Sequence, residues 1–166
     1  MPENFHEELI SAIASKATLD KNAEITMEAN PDSILERDSK GLRNAGYNRL
    51  SIGMQSFDDC ILKTIGRVHD SRQSRLAFEH ARKGGFENIS IDLMYGLPGQ
   101  TMDIWKRDLE IAACQLSPEH ISAYSLIVNN NTPMMEMLEQ SPGLFPEDGQ
   151  ERGMHHFCTF FLKMRG

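Results

Sequence analysis

The chain has 166 residues, 40 % of them hydrophobic, enough to bury one ordinary core as a domain or as part of a larger one. A formal charge of −7, with Lys and Arg scattered rather than striped, argues against a surface built for nucleic acid or an acidic membrane. No run of 18 apolar residues and no basic segment ahead of an apolar stretch occurs, so neither a transmembrane span nor a secretory signal is expected, and a cytoplasmic location follows. Cys60, Cys114 and Cys158 lie more than 40 residues apart, without C-x-x-C or Cys/His spacing, and are expected to be structural thiols.

The elements alternate. "ENFHEELISAIASKA" sets Phe5, Leu9, Ile10 and Ile13 on one helical stripe, with Asn4 as the expected N-cap and Glu7 and Glu8 in the first turn. "AEITMEANP" reads as a short strand stopped by Pro31. "DSILERDSKGLRNAG" reads as one helix, with Ser33 and Glu36 spaced as a capping box and Gly46 at its end. "RLSIGMQSF" is a strand, followed by two helical pieces joined through residues 66–70, the longer ended by Gly84 and Gly85. "NISIDLMYGLPG" is a strand closed by a Gly/Pro turn. The next segment is one helix with Trp105, Leu109, Ala112, Ala113 and Leu116 on a stripe. "HISAYSLIV" is the fourth strand. A polar, Pro-rich excursion containing a short helix precedes a last helix carrying Met154, Phe157, Cys158, Phe161 and Leu162.

Strands alternating with helices at this spacing imply right-handed crossovers and a parallel sheet. A doubly wound sheet would want both strand faces apolar, yet Thr26, Glu28, Ser51, Gly53, Gln55, Ser90 and Asp92 make one face small or polar. That asymmetry suits a curved half-barrel whose outside is covered by helices and whose inside lines a ligand cavity. Glu28, Gln55 and Asp92 fall at three successive strand tips, the end where such architectures hold ligands. Two readings fit these tips: a binding site, or polar residues marking where strands run out into solvent. The His155–His156 pair is expected to be solvated, His69 to serve a loop or cap, and "YGLPGQT" to be a tight strand-to-helix turn.

"EANP", "RLSIGMQSFDD", "IGRVHD" and "IDLMYGLPGQT", in this order and at these intervals, resemble the radical S-adenosylmethionine family of oxygen-independent coproporphyrinogen III oxidases over residues 22–133. Ser56, Asp58 and the G-R-x-H of residues 66–69 are more similar to its haem-chaperone subgroup. The resemblance implies an α/β fold: a partial (β/α) barrel of the radical SAM type, with about four parallel strands and outer helices. It implies that S-adenosylmethionine is contacted by Glu28, Gln55, Arg67, Asp92 and Leu126. A carboxylate such as Asp92 suits a ribose diol, Gln55 can also engage it, and Arg67 suits the methionyl carboxylate. Glu28 could complement a sulfonium or amino group, and Leu126 would contribute apolar surface or backbone. A purely structural alternative for Arg67 is a surface ion pair with Asp58, Asp59 or Asp70.

The family's [4Fe–4S] cluster sits on a C-x-x-x-C-x-x-C loop that this sequence does not contain. The expectation is therefore one unit over residues 1–166: an internal fragment or truncated gene product, lacking the cluster-binding part and the C-terminal region of a longer parent. Alone it should be inactive, and marginally stable or self-associating through exposed strand edges. In the parent, the resemblance implies oxidative decarboxylation of coproporphyrinogen III through a 5′-deoxyadenosyl radical, in haem biosynthesis. The alternatives are a chaperone that binds and transfers haem without oxidase turnover, and an inactive fragment. The small-molecule partner is correspondingly a porphyrinogen or haem.

Overall fold

A computed structural model describes residues 5–165. Helix α1 (Phe5–Lys16) forms as its spacing predicts, but none of its residues is buried. Phe5, Leu9 and Ile13 remain 37 %, 40 % and 42 % exposed, and Ile10 is the stripe residue that packs on the core. Asn4, the expected N-cap, lies outside the described residues.

Strand β1 (Thr26–Ala29) ends at Asn30 because Pro31 opens α2 (Pro31–Leu35) at a position that needs no backbone donor. The single helix expected next is in fact two. Glu36 closes α2 as its C-cap instead of completing a capping box. Asp38 then starts α3 (Ser39–Ala45) by accepting from the Lys40 backbone N–H at 3.0 Å. Gly46 ends α3 in the left-handed region at φ 115°, where a side chain would be strained. Strand β2 (Arg49–Gln55), α4 (Asp59–Thr64) and α5 (Ser71–Lys83) follow, the last opened by a capping box between Asp70 and Gln73. Strand β3 (Asn88–Tyr95) leads through the Gly/Pro turn into α6 (Met102–Glu110). Gln100 ties that turn internally, donating to the Met94 carbonyl at 3.1 Å. After α6 the chain widens into a π-helical turn, Ile111–Leu116, so the predicted stripe holds at the buried Trp105, Leu109 and Ala112 but leaves Ala113 and Leu116 only half-buried. Strand β4 (His120–Ser125), α7 (Pro133–Gln140), a 3-10 turn (Pro142–Leu144) and α8 (Asp148–Lys163) complete the chain.

The four strands are all parallel, in the order β1-β2-β3-β4. Because side chains alternate across a strand, Leu50, Ile52 and Met54 of β2 and Ile89, Ile91 and Leu93 of β3 all share one face, with 0 % exposure. They join Ile34, Phe78, Trp105, Leu109 and Met154 from the helices in one core cluster. The opposite face is polar in rows set by the register. Glu28, Ser51, Ser90 and His120 form one row; Gly53, Asp92 and Ser122 form the next toward the C-terminal ends. The rows are tied by side chains, with Ser90 Oγ 2.9 Å from His120 Nδ1. The result is an α/β wall of a partial barrel, helices outside and polar groups inside. Among the described residues β1 and β4 each have one strand neighbour, leaving the outer edges through which self-association is expected. No described helix is long and apolar enough to cross a membrane.

Candidate functional site

The polar face becomes a site where β2 ends. The register between β2 and β3 slips between Gly53 and Gln55, and Gln55 takes φ 66°, one of three non-glycine residues with positive φ among those described. Its neighbours close a γ-turn around it: the Ser56 N–H donates to the Met54 carbonyl at 2.8 Å. A positive-φ γ-turn at a side-chain-bearing residue is strained and persists only where its surroundings hold it. The strain redirects the amide. Periodicity predicts Gln55 at an open rim; instead it is folded inward and 4 % exposed. Its Nε2 lies 2.7 Å from where a Cβ on Gly53 would stand. Glycine at 53 is thus the space the glutamine amide occupies.

The amide is oriented from the far strand. The Tyr124 hydroxyl donates to Gln55 Oε1 at 3.1 Å, which leaves the Nε2 hydrogens as the groups Gln55 can offer. Tyr124 was not among the residues expected from sequence. Burial raises its phenol above the ordinary range, and the negative charges of Asp92 and Glu28 add to the rise, while the Gln55 bond and Arg67 oppose it. Four of the five expected residues therefore act on one phenol. The signal for it was available in the alternation of "HISAYSL", which puts Ser122 and Tyr124 on the inner face.

Asp92, half-buried on the same face, accepts from Ser51 Oγ at 3.0 and 3.2 Å. Arg67 is placed by the end of α4. Ile65 and Gly66 close that helix with a reversal in which the Arg67 N–H donates to the Leu62 carbonyl at 2.9 Å and Gly66 has φ 73°. The guanidinium then reaches across to Asn30 Oδ1 at 3.1 Å. The surface ion pair considered for Arg67 does not form: Asp58 binds Arg107 at 3.0 Å, Asp59 accepts from the Ser71 N–H, and Asp70 caps α5. Asn30, although it precedes α2, uses its side chain for Arg67 rather than for capping.

The expected residues do not stand at equivalent heights. Glu28 is level with Ser51, Asp92 with Gly53, and Gln55 lies beyond the slip. Arg67 and Leu126 line one cavity of about 250 Å³ with Gly66, Met94, Leu97 and Met134. Glu28 is exposed and lines another, of about 390 Å³, with His6, Arg37 and Tyr47. Leu126 falls one residue past β4, yet its N–H still donates to the Tyr95 carbonyl at 2.9 Å. His69 is buried under the same β2 exit, its Nε2 3.4 Å from the Met54 carbonyl, and burial lowers its basicity. His155 faces the Tyr95 hydroxyl at 3.2 Å.

The donor set fits a polar nucleoside and does not fit an iron–sulfur cluster. The polar side offers the buried Gln55 amide with the half-buried Asp92 carboxylate and Arg67 guanidinium, whereas Cys60 and Cys114 are exposed on separate helical segments and Cys158 is buried in α8. Burial raises the Cys158 thiol, opposite to what a thiolate ligand needs. No group of three or more metal-ligating side chains occurs among the described residues.

The chain is 41 % identical over 144 residues to the Heme chaperone HemW of Bacillus subtilis (strain 168), covering 87 % of this chain and 38 % of that protein. It is 37 % identical over 160 residues to the Heme chaperone HemW of Lactococcus lactis subsp. lactis (strain IL1403), covering 96 % and 42 %. It therefore spans less than half the length of these relatives. Among solved structures, the coproporphyrinogen III oxidase HemN of Escherichia coli, described as a radical SAM enzyme, superimposes with a TM-score of 0.83 at 26 % identity, over 100 % of this chain and 38 % of that one. Residues 2–112, which carry the first three strands and their polar tips, match the Radical SAM superfamily, and the chain belongs to it.

Proposed function

We propose that this chain forms the nucleoside-facing wall of a radical SAM barrel in a cytoplasmic haem-chaperone protein, and that S-adenosylmethionine lies across its strand tips. The observation that carries the nucleoside reading is the Gln55 amide, held by the Tyr124 hydroxyl over Gly53, beside the Ser51-bound Asp92 carboxylate that pairs with Gly53 in register. Asp92, already positioned by Ser51, accepts from the ribose diol; Gln55 presents its Nε2 hydrogens to a ligand oxygen or ring nitrogen. Arg67, bonded to a neutral amide oxygen and not to a carboxylate, is available to pair with the methionyl carboxylate. Leu126 and Met94 supply the apolar side of that cavity, and Glu28 complements positive charge from the β1 side. When bound, S-adenosylmethionine supplies the adenosyl group on which the family's one-electron chemistry depends.

The relatives named haem chaperones, at 41 % and 37 % identity, favour the chaperone over the oxidase reading, whose support here is a structural neighbour at 26 %. Haem or a related tetrapyrrole is accordingly the proposed cargo of the whole protein.

Calorimetric titration of the chain with S-adenosylmethionine is expected to show saturable binding that Asp92→Ala weakens roughly ten- to a hundredfold, the worth of a charge-assisted hydrogen-bond pair. Equal heats from both proteins would remove Asp92 from the site. In the full-length protein, a Soret shift on haem addition without turnover of coproporphyrinogen would support the chaperone; turnover would restore the oxidase.

A further inference from the structure

The strained turn that aims Gln55 is held from the opposite side of the sheet. Asp108 lies on α6, an outer helix, at 0 % exposure. Its Oδ2 accepts from Ser56 Oγ and its Oδ1 from the Phe57 N–H, both at 2.8 Å. Ser56 Oγ in turn accepts from the Asp58 N–H at 3.1 Å. These bonds immobilise the two residues after Gln55. Ser56 is also the residue whose N–H closes the γ-turn onto Met54. We propose that Asp108 is a positioning residue: through Ser56 and Phe57 it latches the γ-turn that presents the Gln55 amide, so ligand affinity at the inner face is set partly from an outer helix.

Two observations support this beyond the contacts. A left-handed turn at a glutamine relaxes unless its flanks are fixed, and the flank on the C-terminal side is fixed by a carboxylate. That carboxylate is itself unfavourable where it sits, since burial pushes it up to about 6 against the opposing bonds from Phe57 and Ser56. A buried apolar side chain would stabilise the core more and hold nothing.

The inference rests on the reading of Gln55 as a ligand contact, and the experiment separates the two. Amide hydrogen exchange and S-adenosylmethionine titration are measured on the chain, Asp108→Ala, Asp108→Asn, Ser56→Ala and Gln55→Ala. Asp108→Ala is expected to speed exchange at Ser56 and Phe57 roughly tenfold or more relative to Leu50 and Ile52, and to weaken binding by a similar factor without removing a ligand contact. Asparagine can accept from Phe57 and donate to Ser56 Oγ, so Asp108→Asn is expected to restore both readouts to within about threefold. Ser56→Ala is expected to fall between them. Exchange that is unchanged, or raised equally along β2, would overturn the latch, as would undiminished affinity in Asp108→Ala when Gln55→Ala is weakened. Absence of binding by the unmodified chain, or undiminished binding by Gln55→Ala, would instead remove the ligand role of Gln55, with the exchange pattern still deciding whether Asp108 holds the turn.

Discussion

Trp105→Ala is expected to lower the unfolding free energy by about 3 to 5 kcal/mol, the range for deleting a fully buried large aromatic side chain. Trp105 is 0 % exposed, and its indole Nε1–H donates to the Met154 carbonyl of α8 at 3.0 Å. Its ring centroid lies 5.4 Å from that of Tyr95 on β3. The side chain thus joins α6, α8 and the end of the sheet, and its loss opens a cavity while removing the indole's hydrogen bond to α8. Against a typical total of about 5 to 15 kcal/mol this approaches global unfolding. Urea unfolding followed by circular dichroism measures it, with Trp105→Phe as the partner variant: phenylalanine keeps most of the volume and should lose only about 0.5 to 1.5 kcal/mol for the missing indole hydrogen bond, since the Met154 carbonyl keeps its place in the helical ladder of α8. Equal losses in the two would place the energy in the hydrogen bond; a loss under about 1 kcal/mol in alanine would show that the site collapses without cost.

Asp108→Asn is expected to stabilise the chain at neutral pH, a result that runs against the usual direction for a buried hydrogen-bonded carboxylate. Burial raises its pKa to about 6, with the neighbouring Asp58 adding to the rise; the bonds from Phe57 and Ser56 and the charge of Arg107 oppose it. The native state therefore holds a proton that the unfolded chain, with a carboxyl near 4, has already released. Stability must fall as pH rises through the window from about 4 to 6, and the full cost, about 3 kcal/mol for a shift of about two units, is present above it. Asparagine removes that ionisation. The variant should gain up to about 3 kcal/mol at pH 7.5 and match the unmodified chain near pH 4. Unfolding curves at pH values across this range check it, and a constant difference between the proteins would contradict the assignment of the shift to Asp108.

Much of the wall was legible because period-2 alternation is rigid: once Leu50, Ile52, Ile89 and Ile91 face the helices, Ser51, Gly53, Ser90 and Asp92 must face the other way. The helix end at Gly46 was legible because a left-handed C-terminal position favours glycine, whereas the Asp70 cap of α5 was read only as part of a joint. The end of β2 was not legible. Alternation carries Gln55 onward as a rim residue, whereas the γ-turn breaks the period at that residue and folds the amide over Gly53. Only tertiary partners select such a turn, and those partners, Tyr124 and Asp108, are 69 and 53 positions away in the chain. Asp108 left a trace: it lies three residues after Trp105 and four before Ala112, on the apolar stripe of α6, where a lone carboxylate requires a buried partner. The split of the second helix was hidden by two competing starts, Ser33 and Asp38; Asp38 caps because the chain turns after Leu35, where the Arg37 N–H donates to the Ile34 carbonyl at 3.3 Å.

The most direct measurement of the strand-tip site is a crystal structure of the chain grown with S-adenosylmethionine. The ribose hydroxyls are expected within hydrogen-bonding distance of Asp92, with the Gln55 amide on the nucleoside and Arg67 turned from Asn30 to the methionyl carboxylate. A ligand seated instead in the cavity beside His6 and Arg37, with Gln55 and Asp92 untouched, would contradict a nucleoside site at the strand tips.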